Sequence, residues 1–243
     1  MPKLDITSYS FSIGSEKRFL AAVMSDVHGE EYGYILDEVS KRSPDLIFIP
    51  GDIIGGHAET AGNGGKFLFD CQSIAPSYMS LGNHERMGAG DVADICRRSG
   101  VVLLDNSYSV VYGVAVGGLT SGYVRQTGRI NQGHFKKTPP PDLGWLRSFA
   151  GLSIPKILLC HHPEYYPRYI KQLNIDLCLS GHAHGGQWRF FGIPVFAPDQ
   201  TFFPKYAQGV HDGRLVVSRG LANNAPVPRI GNPRELVFIE INP

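Results

Sequence analysis

Short apolar runs punctuate this chain, and most are continuous rather than alternating. They are Phe19–Met24, Leu46–Pro50, Tyr78–Leu81, Val114–Gly117, Lys156–Cys160, Asp176–Leu179, Arg214–Ser218 and Leu236–Ile241. A strand with one wet face alternates apolar and polar residues, because successive side chains point to opposite sides. Continuous runs therefore predict a sheet covered on both faces. Helix-like stretches fall between them, at Glu31–Arg42, Lys66–Ser73, Asp91–Ser99, Leu143–Ala150 and Pro163–Leu173. Strands alternating with helices predict an α/β architecture. Residues Gly113–Gln132 read as irregular and Thr138–Pro141 as a Pro-stiffened linker. No composition shift divides the chain, so a single domain over residues 1–243 is the expectation.

Composition narrows the function classes. Hydrophobic residues make up 42% and charged residues 19%, which suits a packed core and argues against disorder. The 23 basic and 22 acidic residues leave a net charge of +1, with no electrostatic footprint for nucleic acid or an anionic membrane. No apolar run approaches the roughly 20 residues that span a bilayer. The start of the sequence lacks the pattern of a secretory signal, so a cytoplasmic location is expected. Cys71, Cys96, Cys160 and Cys178 form no CxxC pair and read as buried free thiols of a reducing compartment. Gly62-x-Gly64-Gly65-Lys66 hints at a phosphate loop, but Phe67 stands where that motif needs Ser or Thr, so a flexible loop is expected.

Polar residues gather where the runs end. These segments are Ser25-Asp26-Val27-His28, Gly51-Asp52, Gly82-Asn83-His84-Glu85, His161-His162 and Ser180-Gly181-His182-Ala183-His184-Gly185-Gly186-Gln187. Ligands of open α/β sheets bind beyond the carboxyl ends of the strands, so the polar ends should share one rim. In Asp26-x-His28 and His182-x-His184 a strand period of 2 would send both side chains the same way. Glycines 29, 51, 82, 181 and 185 would permit positive φ or close backbone approach. Carboxylate and amide oxygens mixed with imidazole, and no thiolate, suit Mn²⁺, Fe or Zn²⁺ better than a structural zinc cage.

These residues resemble the calcineurin-like metallophosphoesterase family. Its motifs read Asp-x-His, Gly-Asp, Gly-Asn-His-Glu/Asp, His and Gly-His-x-His, and all five occur here in order from Asp26 to His184. The later segments Tyr206-x-x-Gly209, Val217-Ser-Arg-Gly220, Pro228-Arg229 and Glu235 are similar to the small single-domain bacterial branch, which includes UDP-diacylglucosamine pyrophosphatases. Ala183 departs from that branch's usual Thr, at a position between two ligands. The resemblance implies an α/β (α+β) sandwich of two packed mixed sheets flanked by helices. It implies that Asp26, His28 and His184 hold one metal ion, that Asn83, His161 and His182 hold a second, and that Asp52 bridges them. Manganese is the first expectation, with iron or zinc as alternatives. A hydroxide shared by the two ions would attack phosphorus in line, while His84 would face the phosphate and stabilise charge or protonate the leaving oxygen. Glu85 is a candidate for orienting its neighbours.

The function expected is metal-dependent hydrolysis of a phosphodiester or pyrophosphate. Asn83, His84, Arg86 and His162 are candidate substrate contacts, and Arg125, Arg129 and Arg168 are further basic residues that could meet substrate oxygens. His162 reads as a non-ligand, and His57, His134 and His211 as loop or surface residues. The aromatic residues Trp188, Phe190, Phe191, Phe196, Phe202, Phe203 and Tyr206 either brace the sheet or line a groove for an apolar leaving group. The expected partner is a small phosphoester, nucleotide- or lipid-linked, with peripheral membrane contact compatible with the latter; no nucleic-acid partner is expected, and the oligomeric state is left open. Two rival readings are a non-catalytic metal-binding scaffold of the same fold and a metal-dependent nuclease.

Overall fold

The computed structural model describes residues 3–54, 58–88, 91–124, 138–223 and 225–243, and for 58–61 the backbone only. The first half of the chain runs β1 (Leu4–Ser12), β2 (Phe19–Val23), α1 (Gly33–Arg42), β3 (Leu46–Ile49), α2 (Ala58–Ile74), β4 (Ser77–Met79), α3 (Asn83–Met87), α4 (Val92–Ser99) and β5 (Val102–Leu103). It continues with β6 (Ser107–Val111), β7 (Val114–Leu119), α5 (Leu143–Ala150), β8 (Lys156–Cys160) and β9 (Leu177–Ser180). Four two-residue strands follow, β10 (Arg189–Phe190), β11 (Ile193–Pro194), β12 (Phe196–Ala197) and β13 (Thr201–Phe202), then β14 (Gly209–His211), β15 (Leu215–Val217) and β16 (Arg234–Asn242).

Two six-stranded mixed sheets result, in the orders β1-β16-β2-β3-β4-β5 and β14-β15-β9-β8-β7-β6. In the first, β2, β3, β4 and β5 run parallel. In the second, β7, β8, β9 and β15 run parallel. Apart from the two-residue edge strand β5, these parallel strands are continuous runs of the sequence, and both of their faces are covered. One apolar cluster joins Ala21, Val23 and Phe48 of the first sheet to Val116, Leu159 and Leu179 of the second. A second cluster packs the outer face of the first sheet on helices α1, α2 and α4 through Ile35, Val39, Phe67 and Cys96. A third packs the other sheet on Leu146 and Phe149 of α5 and on Tyr165, Tyr166 and Ile170. This is the expected sandwich of two sheets between helical layers. All four cysteines are buried and free, as the sequence predicted.

Helix ends follow local chemistry. Asp91 accepts from Asp94 N (3.0 Å) to cap α4, and Asp142 accepts from Trp145 N (2.9 Å) to cap α5. Helix α4 stops at Gly100, whose φ of 80° suits a residue without Cβ.

Four details depart from the sequence expectations. Gly62–Lys66 is not a loop but part of α2, where Gly64 faces Ile54 so closely that a Cβ would sit 2.9 Å from Cγ1. Pro163–Leu173 is not a regular helix; its centre, Tyr166–Ile170, is a single wide turn closed by Lys171 N to Tyr166 O (2.8 Å). Strands β1 and β6 occupy sheet edges the runs did not mark. The dense aromatic stretch forms two small hairpins, β10–β11 and β12–β13. Among the described residues no helix is long and apolar enough to cross a membrane.

Candidate metal centre

The polar residues meet just beyond the strand ends, in turns. Strand β2 ends at Val23 and β9 at Ser180, so the strand period does not orient Asp26-x-His28 or His182-x-His184 as the spacing suggested. The backbone does it differently: Asp26, His28, Asp52, His182 and His184 all have left-handed φ, between 46° and 65°. Such conformations are uncommon for residues with a Cβ and gather at functional sites when the surroundings impose them. Here neighbouring turns lock one another. Asp26 N donates to Gly51 O (3.2 Å), His28 N to Asp52 O (3.1 Å) and Gly29 N to Ile53 O (2.9 Å). Gly82 and Gly181 serve close approach rather than positive φ. A Cβ on Gly82 would lie 2.1 Å from Asp52 Oδ1, and one on Gly181 would lie 2.2 Å from Asp26 Oδ2.

Two donor clusters form. In one, ligating atoms of Asp26, His28 and His184 lie within 4.8 Å of one another. In the other, Asp52, His161 and His182 do the same. Asp52 also groups with His28 and His84, which puts its carboxylate between the clusters. His28 Nε2 is 3.4 Å from His184 Nε2, and Asp26 Oδ1 is 3.4 Å from the same His184 atom. His161 Nε2 lies 3.0 Å from Asp52 Oδ2, off the line of a hydrogen bond. Asn83, at the start of α3, keeps its Oδ1 buried without a hydrogen-bond partner.

The electrostatics fit a cation site. Burial drives the His28 and His182 rings down to about 3, so both stay neutral. Burial, with the Arg229 guanidinium 3.0 Å from Nδ1, holds His184 well below the ordinary histidine range. Burial pushes the Asp26 carboxyl up, and the Asp52 charge adds to it. Burial also opposes ionisation of Asp52, but His161 and His84 outweigh it and hold this carboxyl well below the usual range. Two buried carboxylates, neutral imidazoles and an unpartnered amide oxygen form a donor set that fits divalent cations. His161 donates Nδ1–H to Pro50 O (3.1 Å), which aims Nε2 at the cluster.

A second ring of residues holds these donors. Glu85 accepts from the backbone N–H of Asp52 (2.8 Å), Ile53 (2.7 Å), Ile54 (3.1 Å) and Gly82 (2.9 Å). It thereby ties the Gly51-Asp52 turn to the Gly82-Asn83 turn. Ser25 Oγ donates to Asp26 Oδ2 (2.7 Å). Asn232 Nδ2 donates to His184 O (2.7 Å), and Arg189 Nη1 to Gly185 O (3.0 Å). Arg219 N donates to Glu235 Oε2 (3.0 Å), joining the two tail motifs. Sequence reasoning gave no role to Ser25, Arg189, Arg229 or Asn232; only the Pro228-Arg229 pair stood out, as a motif.

The other candidates are placed as follows. His84 stands at the rim, partly exposed, with its backbone N–H on Asp52 Oδ1 (2.9 Å) and its ring edge-on to His28. Arg86 donates Nε–H to Tyr123 O (3.1 Å). His162 is fully buried behind His161 and His182, with Nε2 2.7 Å from Ser121 Oγ, and has no exposed edge for substrate. Arg168 pairs with Asp199 (2.8 Å), and His211 sits in β14 with Nε2 3.0 Å from Gln208 O. Arg125, Arg129, His57 and His134 lie outside the described residues. Of the aromatic stretch, Tyr206 packs into the core, whereas Phe190, Phe191, Phe202 and Phe203 are exposed.

Comparison with known proteins agrees with this geometry. The chain is 27% identical to an uncharacterized metallophosphoesterase of Campylobacter jejuni, over 98% of this chain and 63% of that protein. It is 25% identical to phosphodiesterase YaeI of Escherichia coli K12, over 84% of this chain and 76% of that protein. It thus spans 63% of the Campylobacter jejuni relative and 61% and 54% of two Helicobacter pylori metallophosphoesterases. Among solved structures, the sulfate thiohydrolase SoxB of Thermus thermophilus shares the fold, with a TM-score of 0.54 at 12% identity, over 92% of this chain and 56% of that one. The family profile for calcineurin-like phosphoesterases matches residues 19–186, a span that contains Asp26, His28, Asp52, Asn83, His161, His182 and His184, and the chain belongs to that family.

Proposed function

We propose that this protein hydrolyses a phosphodiester or pyrophosphate bond with the help of two divalent metal ions. The observation that carries the reading is the pair of donor clusters, Asp26/His28/His184 and Asp52/His161/His182, with the Asp52 carboxylate between them. Asp26, His28 and His184 would hold one ion, and Asn83, His161 and His182 the other. Asp52 has two oxygens and would serve both. When bound, a pair of divalent cations clamps phosphoryl oxygens and makes a water acidic enough to act as nucleophile near neutral pH. Oxygen donors mixed with imidazole, and no thiolate, support manganese, with iron or zinc as alternatives.

The chain's own residues supply orientation and a proton. Glu85 fixes the turns that carry Asp52 and Asn83 through its backbone hydrogen bonds. His84 stands at the rim, anchored by its backbone to Asp52, and would donate a proton to the leaving oxygen. Arg86, on the same short helix, would contact a substrate oxygen. No serine or cysteine nucleophile is required.

The name phosphodiesterase carried by the Escherichia coli relative supports a diester over a monoester. The exposed Phe190, Phe191, Phe202 and Phe203 support an apolar leaving group, because their hairpins leave the turn that carries His184. The test is hydrolysis of an aryl phosphodiester by protein stripped of metal and reloaded with Mn²⁺. Activity that disappears with chelator and returns with Mn²⁺ supports the reading; activity indifferent to both contradicts it. Equal turnover of an acylated nucleotide diphosphate and its deacylated analogue would remove the apolar leaving group.

A further inference from the structure

Behind the second donor cluster lies a buried carboxylate that the proposed reaction does not use. Glu164 follows His161-His162-Pro163 and is almost wholly inaccessible. Its Oε1 accepts from Thr138 Oγ1 (2.7 Å) and lies 3.2 Å from His162 Nδ1 and 3.7 Å from His182 Nε2. Its Oε2 is buried with no hydrogen-bond partner. Among the described residues no Lys or Arg pairs with it; its ion-pair partners are the two histidines. A buried carboxylate with no fixed cation is costly, because burial removes its hydration. What offsets that cost must lie across the histidine rings.

We infer that Glu164 is a positioning residue, which holds the His182 ring through Nε2 so that Nδ1 faces the second metal ion. The inference rests on the two-ion reading above. Neutral imidazole offers one lone pair, and a carboxylate on the opposite nitrogen fixes which one, while making the ring a stronger donor. His162 completes the support. Its ring packs edge-on against His182 at 4.4 Å between centroids, and Ser121 Oγ holds its far nitrogen at 2.7 Å. This gives the doubled histidine its division of labour: His161 faces the ions and His162 braces the carboxylate that aims His182. His162, Glu164 and His182 also lie close enough to hold an ion of their own. Two features favour the brace. Both rings approach the single oxygen Oε1, and the other nitrogen of His162 is already held by Ser121.

The test adds Mn²⁺ to the metal-free whole protein and follows stoichiometry, affinity and the electron paramagnetic resonance spectrum. Wild type should take up two ions per chain and show an exchange-coupled spectrum. Glu164→Ala should weaken one ion by about 10–100-fold and leave the other unchanged, so that one equivalent gives the six-line spectrum of an isolated ion. Glu164→Gln keeps an acceptor without the charge and should fall between the two. Thr138→Val, which leaves the carboxylate in place, should show a smaller loss in the same direction and carries the test if the alanine variant does not fold. Unchanged affinities in the glutamine and valine variants, or equal weakening at both ions, would overturn the inference. So would a third ion in wild type. Wild type holding fewer than two ions would instead remove the two-ion reading itself, and the brace with it.

Discussion

His161 Nε2 and Asp52 Oδ2 stand 3.0 Å apart with no solvent between them and the core, so a proton on His161 neutralises the carboxylate where the second cation would sit. Burial alone would lower the His161 ring, but Asp52 beside it lifts it to about 9. At pH 7 the metal-free site therefore holds that proton, and an entering ion must displace it. Affinity for the second ion should rise about tenfold per pH unit between pH 6.5 and 8, and flatten above about 9. Calorimetric titration with Mn²⁺ in two buffers of different ionisation heat should report about one proton released. Affinity independent of pH over that range would contradict the pairing.

Glu85 should matter to folding as well as to the site. Its carboxylate satisfies four buried backbone N–H groups from two turns. Each N–H left without a partner costs about 1–3 kcal/mol, so Glu85→Ala should destabilise the metal-free protein by at least about 3 kcal/mol. Glu85→Gln keeps the shape but turns one acceptor into a donor, and should lose less. Urea unfolding of the metal-free protein measures both, and a loss below about 1 kcal/mol in the alanine variant would mean the turns hold without it.

His84 should separate chemistry from metal binding. Its ring is partly exposed at the rim, while Asp26, His28, Asp52 and His161 lie deeper. His84→Ala should retain both ions and lower kcat by about 10²–10⁴-fold on an aryl phosphodiester. Metal content and steady-state rates together read this. Full activity, or loss of an ion, would show that His84 has a different role.

Much of this was legible from the sequence because parallel, doubly covered strands leave continuous apolar runs. Phe19–Met24, Leu46–Pro50 and Lys156–Cys160 each became a buried strand with its polar end at the site. Strand β1, LDITSYSFS, was not legible. It is an edge strand whose register with β16 is set by residues more than 200 positions away, and its Ser and Thr residues give no apolar run. The glycines at 62, 64 and 65 read as a loop, but packing of Gly64 on Ile54 keeps them helical. The donors were found by residue type and order, while the reason they point inward was not: it lies in the left-handed φ of Asp26, His28, Asp52, His182 and His184, which tertiary hydrogen bonds impose. Glu164 read as part of a helix start, because nothing local to it reveals the ring of His182.

Diffraction from crystals soaked in Mn²⁺, recorded at the manganese absorption edge, tests the central claim most directly. The prediction is two anomalous peaks about 3.5–4 Å apart. Asp52 should lie between them, Asp26, His28 and His184 on one, and Asn83, His161 and His182 on the other. A single peak, or two peaks with Asp52 touching neither, would contradict it.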